Sequence, residues 1–237
     1  MRVIGVCYCT LAIHAPYRRR ARQLCADLAA VPWIVLTDDP DDFADLPVRA
    51  LHHQPTGPMA KDYVDRLPPT GNNRGGAAYH DKRFVLRAAL RDFDTAIFLD
   101  ADVRIPRFPA HRDPLPPGLA VLPGERESVA RALAQRGTWR APFFEDLARE
   151  LTGDAGVLAS SYWISEWCYA VTKDGREARF FEAWDRAAAF MQERNVFSGE
   201  GGVMGLIAAH AGWEPDASGL TWLAPYIQHE ANGPKTV

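Results

Sequence analysis

Short apolar runs alternate with longer stretches of helical periodicity along this chain, and their order predicts its architecture. Residues 2 to 9 and Trp33 to Thr37 read as buried strands. Between them, Ala15 to Ala30 reads as a helix, with Ala21, Leu24, Cys25 and Leu28 on one stripe and Pro16 tolerated in the first turn. Strand, helix and strand at this spacing form a βαβ unit. A parallel sheet is therefore expected, with ligand-binding loops at the carboxyl ends of its strands, here Cys9-Thr10 and Thr37-Asp38-Asp39. Val48 to His52 predicts a short third strand. Gln54 to Gly76, with 4 prolines and 4 glycines, is too irregular to pack as core and reads as a mobile loop. A helix over Gly75 to Phe93, carrying Phe84, Leu86, Ala88, Ala89 and Leu90, then feeds a strand from Thr95 to Leu99.

A proline-heavy connection over Pro106 to Gly118 opens the second half of the chain. The patterns that follow predict a strand at Leu119 to Leu122, helices around Glu125 to Arg136 and Ala141 to Leu151, and strands at Gly156 to Trp163 and Ser165 to Thr172. Helices are expected over Arg176 to Asn195 and Gly199 to Ala211. The tail from Gly219 carries Trp222, Tyr226 and His229, aromatic content that favours order against the body.

The chemistry concentrates where the Thr95 to Leu99 strand stops. Ala96-Ile97-Phe98-Leu99 runs directly into Asp100-Ala101-Asp102, and carboxylates abutting so apolar a run need a cation to justify their place. Ligation by oxygen suits Mg²⁺ or Mn²⁺, which in turn bind phosphates.

Bulk composition narrows the reading further. A chain of 237 residues, 47% hydrophobic and 24% charged, can bury the core of one large α/β domain. A net charge of -3 gives no global attraction to nucleic acid, and Arg18 to Arg20 with Arg22 reads as a solvated helix face. No apolar run is long enough for a transmembrane segment and no signal-peptide core precedes the first strand, so a cytoplasmic protein is expected. Cys7, Cys9, Cys25 and Cys168 read as reduced core thiols, although Cys7 and Cys9 would share one strand face.

Three stretches together resemble a GT-A fold glycosyltransferase, most closely the family of glycogenin and the bacterial lipopolysaccharide galactosyl- and glucosyltransferases. Tyr79 to Val103 is similar to that family's arginine-bearing helix, strand and Asp-x-Asp, with Arg83 at the expected distance before Asp100. Cys9-Thr10 with Pro16-Tyr17 resembles its nucleotide-binding first loop, and His229 to Lys235 resembles its C-terminal His-x-x-Gly-x-x-Lys with each gap altered by one residue. The resemblance implies a single GT-A (Rossmann-like) α/β domain over 1–237, mostly parallel in its central sheet and flanked by helices. Its nucleotide-binding part would span about 1–105 and its acceptor part about 106–237. It implies Asp100, Asp102 and His229 as ligands of Mn²⁺ or Mg²⁺, and Thr10, Tyr17, Arg83, Asp100 and Lys235 as donor-binding residues. The donor would be a nucleotide sugar, UDP-glucose or UDP-galactose, and the acceptor a saccharide, small molecule or protein. Glu200, in Ser198 to Met204, stands where the family has a glutamine and is the candidate catalytic residue, as general base or as stabiliser of an oxocarbenium ion. Two departures accompany it. Gly201 stands where an aspartate is usual, and Ile164-Ser165-Glu166-Trp167 replaces Asn-Ser-Gly-Val, which makes Glu166 a rival carboxylate.

Other readings remain open. A non-catalytic nucleotide-sugar-binding protein would explain Gly201 and Ile164 in place of polar residues. A haloacid-dehalogenase-type phosphatase also ends an apolar strand in Asp-x-Asp, but Arg104 stands here where that motif has Thr or Val. Structural roles are available too: Arg83 could pair with Asp81, and Glu200 could serve the dipole at a helix start.

Overall fold

The computed structural model describes residues 5–57, 61–62, 74–75, 77–107, 114–124, 127–136, 140–194 and 200–229, with the Glu200 side chain not among the described groups. Most of the expected loop at Gln54 to Gly76, and Lys235 with the rest of the tail after His229, lie outside the described residues.

Strands β1 (Val6–Ala12), β2 (Trp33–Thr37) and β3 (Arg49–His52) form one half of a sheet, with helix α1 (Ala15–Asp27) connecting the first two. A two-residue antiparallel pair, β4 (Lys61–Asp62) with β5 (Arg74–Gly75), follows. Helix α2 (Lys82–Asp92) leads into β6 (Thr95–Leu99), and β7 (Val103–Arg104) comes just after the carboxylates. The second half holds β8 (Gly118–Val121), helices α3 (Val129–Arg136) and α4 (Ala141–Thr152), β9 (Cys168–Thr172), helices α5 (Glu177–Glu193) and α6 (Glu200–Ala211), and β10 (Gln228–His229). Six strands make the central sheet in the order β3-β2-β1-β6-β9-β8. The β3, β2, β1 and β6 ladder is parallel, while β9 adds antiparallel to β6 and β8 antiparallel to β9. This is an α/β fold with a mostly parallel central sheet, compatible with a Rossmann-like architecture.

Alternation along the strands sorts the core into two layers. Cys7, Cys9 and Leu11 of β1 and Ala96 and Phe98 of β6 face the layer containing residues of α2, α4, α5 and α6. Tyr8 and Ala12, with Ile97 and Leu99, face α1 and the segment around Leu220 and Leu223. All four cysteines are buried free thiols, and burial pushes Cys7 and Cys25 up to about 12. A reactive pair is therefore not formed at Cys7 and Cys9, which sit in the core.

The strand expected over Gly156 to Trp163 does not form. Ala155–Ala159 is a 3-10 turn instead, opened by Asp154, whose carboxylate accepts from the Gly156 N–H at 2.8 Å. The Ser160 and Ser161 hydroxyls both bond back to the Val157 carbonyl, so local side-chain partners satisfy backbone groups that a ladder would have used. The first strand also runs later than expected. It ends at Ala12, which moves the strand mouth from Cys9-Thr10 to Ile13-His14.

The candidate metal centre

Asp100 follows β6 on the Phe98 side of the strand, and α2 lies over that side. Lys82 is the residue of α2 in phase with the buried stripe Val85, Leu86 and Ala89, so a helix spacing of three, four and seven turns it toward the sheet. Its ammonium sits 2.9 Å from Asp100 Oδ1 and 5.1 Å from the centre of the Phe98 ring. Only 4% of the Lys82 side chain and 25% of the Asp100 side chain are exposed. Burial raises the Asp100 carboxyl above its ordinary range, and Lys82 pulls in the opposite direction. A buried carboxylate with a single cation beside it is a strong attractor for further positive charge.

The turn after β6 brings Asp102 back beside the chain's last described strand. In the antiparallel pair of β7 with β10, His229 lies opposite Val103, and its Nε2 comes within 3.2 Å of Asp102 Oδ1. A hydrogen bond to Asp102 raises the His229 pKa against the opposing effect of burial. Burial would raise the Asp102 carboxyl, but the His229 partner overrides it and holds the group below its usual value. Arg20, from α1, stands 4.0 Å from Asp102 Oδ2. The Trp167 ring stacks on the His229 imidazole at 4.9 Å and an interplanar angle of 11°. The Asp100 N–H donates to the Trp167 carbonyl at 2.9 Å, which ties the carboxylate turn to the segment preceding β9.

One oxygen or nitrogen from each of Asp100, Asp102 and His229 lies within 4.8 Å of the others, so the three residues form a group able to hold a metal ion. Two carboxylates and one imidazole offer oxygen and nitrogen ligands to a divalent cation. Asp100 pairs with the Lys82 ammonium, and Asp102 with the His229 imidazole, which must be neutral to act as a metal ligand.

The other sequence-predicted residues are dispersed. Arg83 is one position off the sheet-facing stripe. Its guanidinium donates to Asp185 at 2.8 Å, to the His80 carbonyl at 2.7 Å and to Asp81 at 3.2 Å, so it joins α2 to α5. Thr10 lies inside β1, fully buried, and its hydroxyl has no hydrogen-bond partner among the described residues. Tyr17 is in the first turn of α1, with its hydroxyl 3.4 Å from that of Tyr79. The backbone of Glu200 opens α6, and Lys235 lies outside the described residues.

Three participants were missed. Lys82 was legible as the cation in phase with Val85, Leu86 and Ala89. Arg20 belongs to the basic run read as a solvated face. Arg19 and Arg20 are exposed as expected, but the other two residues of the run are engaged with acids: Arg18 pairs with Asp38, Asp39 and Asp42, and Arg22 with Asp45. Trp167 carried no signal as a neighbour of His229, because 62 positions separate them in the chain.

The loop after β1 carries backbone strain. His14 has φ 68° and ψ 150°, a region that disfavours any residue with a Cβ, and its N–H donates to both oxygens of Asp38 at 3.1 Å. The Asp38 carboxylate thus fixes the mouth between β1 and β2, beside the metal-ligand group's parallel strands. No protein-family model and no curated protein matches this chain.

Proposed function

We propose that this protein is a metal-dependent glycosyltransferase of the GT-A kind, moving a hexose from a nucleotide sugar to an acceptor hydroxyl. The observation that carries the reading is the Asp100, Asp102 and His229 group, set at the carboxyl end of a parallel strand with Lys82 beside it. Open α/β sheets bind nucleotides at strand carboxyl ends, and a carboxylate-rich group there serves a diphosphate through a cation.

Asp100, Asp102 and His229 would hold Mn²⁺ or Mg²⁺, which when bound neutralises negative charge on the diphosphate leaving group. Lys82 adds a cation from the protein itself, held in a largely dry position where its charge acts with little screening. Trp167 orients the His229 ring by stacking, and Asp102 orients it from the Nε2 side. Tyr17 and Asp38 line the approach from β1 and β2, where a base and ribose would lie. UDP-glucose and UDP-galactose are the donors this reading puts first.

Thermal unfolding with Mn²⁺, UDP-glucose and UDP-galactose, singly and together, tests it. Ligand at about 100 times its Kd stabilises by about 2.7 kcal/mol. For a chain of this size that is a rise in Tm of about 5–10 °C. Metal and nucleotide sugar should be needed together, and Asp102→Asn should remove the rise without lowering the unliganded Tm by more than about 2 °C. A nucleotide-sugar shift that persists in Asp102→Asn, or that ignores the metal, would refute the assignment. Release of UDP over time separates an enzyme from a binder, since a binding protein would show the shift with no turnover.

A further inference from the structure

We infer that the groove along the outer face of α2 is a second binding site, taking a single-chain amphiphile with a carboxylate head. It lies apart from the metal group, since none of Asp100, Asp102 and His229 lines it, and binding there does not depend on sugar transfer.

The groove follows from where the sheet ends. β3 is an edge strand, and α2 packs mainly on β1, β2 and β6, so the face that β3 turns toward the helical layer is only partly covered. Leu51 of β3 stands beside Leu36 of β2 in the register of the sheet. On α2, Phe84, Ala88 and Arg91 recur at the four- and three-residue spacing of a single helix face. With Leu90 and, from α5, Phe181, these residues line a groove of about 800 Å³. Small-molecule sites span about 300–1,000 Å³ and are mostly apolar, with a few placed polar groups.

The charged lining residues set the sign of the ligand. Glu177 is the acid among them, and its carboxylate accepts from the Asp174 N–H and, at 2.9 Å, from the Gly175 N–H. That carboxylate is thus committed to the turn before α5. Arg87 is held by Asp185 and by the Phe181 carbonyl at 3.0 Å. Lys173 stands 4.0 Å from Asp94. Arg91, exposed in the last turn of α2, has no acid partner among the described residues. A chain laid along the apolar wall therefore meets unspent positive charge at the Arg91 end, which a carboxylate head complements and an ammonium head does not. Phe84 and Arg91 are seven positions apart, about 10 Å along the helix axis, which suits a chain of medium length.

Isothermal titration calorimetry of the metal-free chain with sodium decanoate, below its micellar concentration, tests the site. One decanoate should bind per chain. Octanoate should bind about 5- to 15-fold more weakly, as the loss of two buried methylenes requires. Decyltrimethylammonium, the same chain with a cationic head, should bind at least about fivefold more weakly than decanoate. Arg91→Glu, a change at an exposed position, should weaken decanoate by about 3- to 10-fold, and Leu51→Gln, which makes the wall polar, by about fivefold. No decanoate binding, equal affinity for the two head groups, or a Kd in Arg91→Glu within about 1.5-fold of wild type would overturn the inference. So would a wild-type dimer in sedimentation velocity that Arg91→Glu dissociates, which would assign the groove to a second copy of the chain.

Discussion

Replacing Lys82 by Met keeps the length and the apolar stem of the side chain and removes one buried charge. In the wild type that charge sits 2.9 Å from Asp100, with the lysine side chain 4% exposed and the aspartate 25% exposed. Breaking a fully buried pair costs about 3–5 kcal/mol, because the remaining ion is left uncompensated. Asp100 retains partial access to water and can take up a proton, so the expected cost here is about 2–3 kcal/mol. With about 2–4 °C per kcal/mol for a chain of this length, the metal-free Tm should fall by about 4–12 °C. The variant also loses the donor to the Glu166 carbonyl, which belongs to the same cost. Saturating Mn²⁺ should then raise the Tm of Lys82→Met by more than it raises that of the wild type, since the metal supplies the charge that Asp100 has lost. Differential scanning calorimetry with and without Mn²⁺ measures both quantities. A metal-free Tm within about 2 °C of wild type would show that the Lys82 to Asp100 pair contributes no net stability. An equal Mn²⁺ shift in both proteins would show that the metal does not use Asp100.

Two more outcomes are expected. Gly201→Ala should lower the Tm by about 2–12 °C, because its Cβ meets the Ile164 backbone carbonyl and the overpacking costs about 1–3 kcal/mol; an unchanged Tm would contradict that close approach. Asp27 accepts from Arg104 at 2.7 and 3.0 Å; burial would raise its carboxyl, but the guanidinium holds it below its usual value. A depressed folded pKa contributes stability above the unfolded pKa of about 3.9 that is lost as pH falls through the lower folded value. The Tm difference between wild type and Asp27→Asn should therefore be flat from about pH 7 to 5 and shrink below about pH 4. A difference that stays constant through that range would refute the charge assignment.

The strands and helices that pack one clear face were legible in the sequence. The β1-α1-β2 unit and β6 stand within a few residues of their expected places because periodicity reports burial directly, whereas α2 ends where expected but starts at Lys82, seven residues after Gly75, behind a 3-10 turn at Ala77–Asp81. The carboxylates at the end of β6 were legible for the same reason, since an apolar run cannot end in two acids without a use for them. His229 was reached only through a resemblance, and its contact with Asp102 depends on a two-residue pairing that no local pattern encodes. Lys82, the neighbour of Arg83, is the cation that pairs with Asp100, and the sequence reading did not single it out. Lys82 and Arg83 are neighbours in the chain but about 100° apart around the helix, and the one in phase with Leu86 and Ala89 faces the sheet. The failed strand at Gly156 to Trp163 shows the converse limit. Its serines and Asp154 close a turn through local hydrogen bonds, a competition that hydrophobic pattern does not register.

The pairing of β7 with β10 gives the metal group a timetable. Asp102 and His229 touch, yet synthesis separates them by 127 residues, the difference between their positions. A chain emerging from the ribosome has both carboxylates and Lys82 long before it has the imidazole, so any capture of a cation at that stage lacks its third ligand. The three-residue group is complete only once Gln228 and His229 have docked along Val103 and Arg104. A metal bound by all three residues would thus be a late event in the life of each molecule, marking the moment when the strand that carries His229 has found its place.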